Sequence, residues 1–398
     1  MVTEKSIDMM QVINDLAYPR LAGTENDEVK CKKYLVEHFK AIGFDPVEEP
    51  VPFSGFATNV LLRIVVAIIY GGLVLGLVLD WYGQALAALI FIIVLIAAAL
   101  FAVGMQQSKT DVFITMGNVQ ETFNLHVKLP AKYQDESAPV KDILFVGHHD
   151  TKSQKVVTMV RMYSYVLGLF ISLIMGVMII ISSLITLFGG TSPLFPVLVI
   201  LLVADSPFMI ILLYNKTIEG KSVGALDNST AIAIVFKLLE HYKANPVERI
   251  NLWFLLTGAE EFGMGGAIEF LRLHGKEKGE LSPETTLVFN FDMVAGGLKY
   301  IEKFGLPKGK PYNEKLNGVL EAAAKELNIP ISGFWLPMMG TTDGWIFKTY
   351  GCDTADIISR DMAKYTHSAK DTPDVCDLQT LEEAVKVTIK SVEKVSNS

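Results

Sequence analysis

The chain has 398 residues, 51% of them hydrophobic, and its mean hydropathy of +0.36 is too apolar for a soluble protein of ordinary composition. A net charge of −8 with no basic stripe argues against a nucleic-acid partner, because nothing in the chain could neutralise phosphates. Three scattered cysteines, Cys31, Cys352 and Cys376, are too few for a disulfide framework or a Cys-rich zinc module.

The N-terminus runs into an amphipathic pattern without an apolar core region, so no cleavable secretory signal is expected. After Thr24, NDEVKCKKYLVEHFKAIGF has helical periodicity, early acids and Gly43 as a stop, and a short extended segment follows. Two apolar runs come next, Asn59 to Leu79 and Gln84 to Met105, joined by DWYG. About 20 helical residues at 1.5 Å rise cover a hydrocarbon core of ~30 Å, so each is expected to span a membrane. Strands are predicted at DVFITM, FNLHVKL and ILFVGHHD. A second apolar block runs from Met162 to Phe188, breaks at GGTSP and returns from Leu194 to Tyr214. Asp205 and Pro207 interrupt this last span. The acid reads either as a functional group or as part of a kinked helix facing a neighbour.

Beyond the second block, helices are predicted at STAIAIVFKLLEHYKA, GGAIEFLRLHG and NEKLNGVLEAAAKEL, and strands at INLWFLL, TLVFNFD and TADIIS. This alternation predicts an α/β three-layer sandwich with a mostly parallel central sheet, interrupted by two transmembrane helical hairpins. The globular domain takes residues 1–56, 107–157 and 215–398, and the hairpins take 57–106 and 158–214. The short turns lack Lys and Arg, whereas Arg63, Lys109, Lys152, Lys155, Arg161, Lys216 and Lys221 flank the opposite ends. Four spans with a cytoplasmic globular domain are therefore expected.

The carboxyl ends of the predicted strands carry the chemistry. In ILFVGHHD, residues two apart face the same way, so His148 and Asp150 can touch while His149 points to the other side. Such a carboxylate suits the second ring nitrogen of a metal-binding histidine, although a lone histidine there also reads as structural. Asp227 in GALDNST precedes a helix, and for this motif taken alone Asp227 or Asn228 as an N-cap is the better reading. INLWFLLTGAEEFG delivers adjacent acids, Glu260 and Glu261, into a Gly-rich turn. Neighbouring carboxylates repel unless a cation or proton separates their roles. Asp292 ends TLVFNFD, and His367 lies in a late loop, where the bland readings are a loop cap and a surface histidine. Together the histidines, aspartates and glutamates make a donor set suited to a pair of zinc ions.

In order, YPRLAGTENDEVKCKKYLVEHFKAIGF, GHHDT, GALDNST, GAEEFG, NFDMV and HSAKDTPD resemble the co-catalytic zinc aminopeptidases of metallopeptidase family 28, relatives of glutaminyl cyclases. The resemblance implies that Asp227 bridges two zinc ions, that His148 and Asp292 complete one site, and that Glu261 and His367 complete the other. It further implies Glu260 as general base and Asp150 as the acid orienting His148. Where relatives often have Ser-Asp-His, this chain has Thr342, Asp343 and Gly344, so no role carries over there. The expected activity is removal of N-terminal residues from peptides. A silent membrane scaffold, a single-zinc glutaminyl cyclase and a transporter are the alternatives, the last weakened by the nearly unbroken apolar spans. About seven residues join Asp150 to the third span. At ~3.5 Å per residue this tether brings the bilayer within roughly 25 Å of the site and leads to an expectation of apolar or membrane-derived peptide substrates.

Overall fold

The computed structural model describes residues 6–108, 114–132, 141–305, 309–336 and 342–397, with the backbone alone over 100–108. The chain divides into two units that it enters alternately. One comprises residues 1–53, 119–153 and 218–398, the other residues 54–118 and 154–217.

The first unit is built on a sheet of eight main strands. These are β1 (Val47–Phe53), β2 (Gln120–Leu129), β3 (Lys141–His148), β4 (Ile250–Thr257), β5 (Thr286–Asp292), β6 (Leu298–Phe304), β7 (Ile331–Leu336) and β8 (Asp353–Ile358). A two-residue strand, Lys310–Pro311, adds to the edge of β6. Their spatial order is β1-β2-β4-β3-β5-β8-β6-β7. The inner strands β4, β3, β5 and β8 run parallel, while β1 and β2 join antiparallel, as β6 does on β8. The inner strands read as nearly continuous apolar runs because both faces of a parallel sheet are covered.

Alternation along β3 shows the two covering layers. Ile143 and Phe145 join a core with α1 (Met9–Asp15), α2 (Asp27–Ile42), α7 (Thr230–Ala244), α9 (Glu314–Glu326) and α11 (Leu378–Ser396). Leu144 and Val146 face a second core with α8 (Gly265–Phe270) and α10 (Asp343–Tyr350). Gly147 lets α7 approach the sheet: a Cβ there would lie 2.7 Å from the Ala231 methyl. The predicted α/β architecture is therefore the observed one, with local differences. The segment DVFITM does not pair in its described part, since Ile114 to Met116 form a turn and residues 111–113 lie outside the described residues. β6, β7 and α10 form where no element is predicted.

The second unit contains α3 (Leu62–Trp81), entered through a wide turn at Ala57–Leu61, α4 (Ala85–Ser108), α5 (Thr158–Leu187) and α6 (Phe195–Tyr214). Three helices, Ala57–Trp81, Thr158–Leu187 and Phe195–Tyr214, are long and apolar enough to cross a membrane, and α4 is apolar over Ala85–Ala99. Small residues sit where helices meet: a Cβ on Gly76 would strike Ile92 at 2.5 Å, and one on Gly72 would strike Leu95 at 2.7 Å. Large apolar side chains point outward instead, with Phe170 60% and Val203 66% exposed. Asp205 faces α5, where its Oδ2 accepts from Ser172 Oγ at 2.8 Å. Asp80, at the first turn, accepts from Ser182 Oγ (2.5 Å) and Ser183 Oγ (3.0 Å).

Candidate metal centre

Each strand of the parallel core ends beside the next, so their carboxyl ends form one rim. His148 is the last residue of β3 and Asp292 the last of β5, while Glu260 and Glu261 occupy a tight turn after β4. Asp227 lies in the turn Ala225–Ser229 before α7, and His367 in the loop between β8 and α11. All of the predicted ligand positions come together here as two donor groups sharing Asp227: His148, Asp227 and Asp292, and Asp227, Glu261 and His367.

The distances make Asp227 the centre of the arrangement. Its Oδ1 is 3.3 Å from His148 Nε2, and its Oδ2 is 3.3 Å from His367 Nε2. His148 Nε2 is also 3.8 Å from Asp292 Oδ1, and His367 Nε2 is 2.8 Å from Glu261 Oε1. Two donors held at the usual 2.0–2.1 Å by one tetrahedral zinc stand about 3.4 Å apart, so these spacings fit. His148 Nε2 and Asp292 Oδ1 are buried without a hydrogen-bond partner among the described residues, the condition expected of atoms that face an ion.

His148 is aimed from behind. Its Nδ1 is 3.1 Å from the Asp150 carbonyl and 3.5 Å from Asp150 Oδ1. The Asp150 carboxylate also accepts from the backbone N–H groups of Glu260 (3.1 Å) and Glu261 (3.3 Å), tying the β3 loop to the β4 turn. His149 points to the other side, with Nε2 donating to the Phe123 carbonyl at 2.8 Å and its ring stacked on Phe123. Burial pushes His149 down to about 4, so it is neutral.

Electrostatics report crowded acids. Burial raises Glu260 well above the usual carboxylate range, and Glu261, Asp292 and Asp343 add repulsion against the pull of His148. Asp292 is pushed up to about 6, first by burial and then by Asp227. Burial works against charge on His148 and on Asp227, yet their mutual attraction raises the imidazole and lowers the carboxyl. His367 rises to about 9, burial being outweighed by Glu261 and Asp227. A pocket with this many acids has lower energy with cations inside it.

Arg20, Gly224 and Asp371, to which sequence reading gives no role, hold the rim together, and Asp343 is buried beside it. Arg20 is buried, and its guanidinium donates to the carbonyls of His149 (2.9 Å), Val223 (3.1 Å) and Gly224 (3.1 Å), fastening the His148 loop to the Asp227 turn. Gly224 is required at that junction, with φ +64 and space for a Cβ only 2.0 Å from Thr151. Asp371, in the same loop as His367, accepts from Leu226 N–H (2.7 Å) and Ser222 Oγ (2.8 Å) and so ties the His367 loop to the same turn. Asp343, at the start of α10, accepts from Thr257 Oγ1, and burial pushes it up to about 7. No loop motif marks Asp343, but its burial beside the rim does.

Fold and donor set define a hydrolase of the metallo-aminopeptidase type. Residues 204–392 match the model of Peptidase family M28, a stretch that contains Asp227, Glu260, Glu261, Asp292 and His367. No curated protein matches the sequence. Among solved structures, an aminopeptidase from Aneurinibacillus sp. strain AM-1 is similar with a TM-score of 0.55 at 15% identity, over 98% of this chain and 94% of that one. A zinc aminopeptidase from Bacillus subtilis gives 0.52 at 13% identity, over 98% and 96%. A glutaminyl cyclase from Fimbriiglobus ruber gives 0.54 at 13% identity, over 98% and 96%. These likenesses share the fold, and the donor set in this chain suits zinc.

Proposed function

We propose that the chain is a membrane-anchored aminopeptidase that works with two zinc ions. One observation carries the reading: the two oxygens of Asp227 face different histidines at the same 3.3 Å, as a carboxylate shared by two ions would. His148, Asp227 and Asp292 would hold one ion, and Asp227, Glu261 and His367 the other. Ions bound there supply Lewis-acid polarisation of the scissile carbonyl and a lowered pKa for a water. Glu260 stands at the rim with Oε2 4.0 Å from His148 Nε2, and its side chain is 10% exposed, enough to meet a substrate. It takes the proton of the attacking water and hands it to the leaving amine. Burial and neighbouring acids favour its protonated state, which suits the second of those tasks. Asp150 keeps the His148 ring in place.

The four apolar helices are read as two hairpins through a lipid bilayer, with the sheet unit cytoplasmic by the distribution of Lys and Arg. Short tethers favour apolar or membrane-derived peptides as substrates. The test uses the full chain purified in detergent, with amino-acid anilides as substrate. Expected are chelator-sensitive hydrolysis and a loss of two zinc equivalents on Asp227→Ala. A loss of one equivalent, with cyclisation of N-terminal glutamine instead of hydrolysis, would establish the cyclase reading. A zinc-loaded protein inactive on both substrates would leave a scaffold.

A further inference from the structure

A second group of metal-type donors lies apart from the rim. Glu49 on β1, His126 on β2 and His274 in the helical turn Leu271–Glu277 after α8 present donor atoms within 4.8 Å of one another. Only 8%, 6% and 3% of these side chains are exposed. Glu49 Oε1 is 2.8 Å from His274 Nε2 and 3.6 Å from His126 Nε2, which brackets the ~3.4 Å edge of a tetrahedral zinc site. Both ring nitrogens of His126, and Glu49 Oε2, lack a hydrogen-bond partner among the described residues. A buried imidazole with neither nitrogen bonded is costly, and it is the signature of a missing partner.

We propose that Glu49, His126 and His274 bind one zinc-class divalent cation that clasps β1, β2 and the turn after α8. His274 already has the supporting arrangement: Nδ1 is hydrogen-bonded to Glu280, leaving Nε2 directed at Glu49. A carboxylate on the far nitrogen fixes both tautomer and ring orientation in histidine metal sites. Two imidazoles and one carboxylate suit zinc, cobalt or nickel, whereas calcium and magnesium need many more oxygens. The rings of Trp253 and Phe270 pack against both histidines and keep the site dry. Lys278 Nζ lies 3.7 Å from Glu49 Oε1, and its half-exposed side chain can turn to water.

The position suggests a structural role. His126 shares a face of β2 with Asn124, whose side chain accepts from Gly258 N–H (3.1 Å) and donates to Gly266 O (2.9 Å) on either side of the Glu260 turn. A clasp here steadies the strand from which that turn is braced.

The test counts metal in the full chain and does not depend on activity. Wild type should carry one zinc equivalent more than Glu49→Gln and than His126→Ala, each keeping the equivalents removed by Asp227→Ala. Glu280→Gln, which keeps all three donors, should weaken cobalt binding at this site 10- to 100-fold. Cobalt in the chelator-stripped Asp227→Ala protein should give the visible absorption of a four-coordinate ion, abolished by Glu49→Gln. Equal metal content in wild type and Glu49→Gln, or a cobalt spectrum unchanged by that substitution, would overturn the proposal and leave a charged hydrogen-bond cluster only.

Discussion

Asp80 and Asp205 in the helical unit, and Asp227, Glu261 and Asp292 in the sheet unit, are all carboxylates wholly or partly removed from water, yet their partners differ in kind. The helical unit answers its acids with hydroxyls: Ser182 and Ser183 donate to the two oxygens of Asp80, and Ser172 to one oxygen of Asp205, whose Oδ1 has no hydrogen-bond partner among the described residues. The sheet unit sets acids against one another and against histidines, leaving His148 Nε2 and Asp292 Oδ1 unbonded among the described residues. Hydroxyls on both oxygens, as at Asp80, satisfy a carboxylate locally. An acid beside an acid demands a cation, and so the second pattern marks chemistry where the first marks packing.

The sharpest way to break this comparison is at Glu260. If its job is proton transfer, Glu260→Gln should lower turnover at least ~100-fold while zinc content stays at the wild-type level. Zinc measured beside anilide hydrolysis checks both halves, and unchanged activity would remove Glu260 from the mechanism. Next in size is the choice between adjacent histidines. His148→Ala should release zinc and activity together. His149→Ala should keep zinc and instead cost about 1–3 kcal/mol of stability through the lost Phe123 contact. Zinc loss confined to the His149 variant would reverse the assignment.

Much of this contrast is legible in the sequence, and the parts that are not have a common cause. Alternation alone puts His148 and Asp150 on one side of β3 and His149 on the other, because strand geometry is local. The apolar blocks declare themselves by length, and the second unit comprises residues 54–118 and 154–217. The rim role of Arg20 is invisible in sequence because the His149 and Gly224 carbonyls it binds belong to loops more than a hundred positions away and carry no side-chain signature. His126 and His274 fall within the predicted strand FNLHVKL and helix GGAIEFLRLHG with no spacing that links them, and the antiparallel pairing of β1 with β2 brings Glu49 to them. β6 and β7 escape because LKYIEKF and ISGFWL mix polar and apolar residues at a sheet edge, without the continuous run of a buried strand.

In the helical unit the same comparison predicts a smaller, purely structural effect. Asp80→Ala removes the acceptor of Ser182 and Ser183 near the ends of α3 and α5 and should cost about 1–3 kcal/mol. Thermal unfolding in detergent measures it, and zinc content should not change. A loss of zinc from this variant would mean that the hydroxyl-satisfied acids do more than pack.

The smallest expected effect tests an acid that belongs to neither pattern. Glu28 in α2 accepts from Gly23 N–H at 3.0 Å and from Thr122 Oγ1. Burial is the main cause that pushes its carboxyl up to about 7 from the ordinary 4.5, against the pull of those hydrogen bonds. A raised value means that the folded protein prefers the protonated acid. Its stabilising contribution is therefore fully present below pH ~4.5 and is lost as pH rises through ~7. Glu28→Gln keeps an oxygen to accept from Gly23 N–H and turns its amide NH2 to donate to Thr122 Oγ1, but it cannot ionise, so the variant should gain on wild type as pH climbs from 5 to 8. The group is partly exposed, so the gain is discounted for solvent screening to about 1–2 kcal/mol. Paired melting curves at pH 5 and pH 8 read it directly. A stability difference between the two proteins that stays constant across that window would show that Glu28 remains ionised in the fold, answered by its hydrogen bonds in the manner of Asp80.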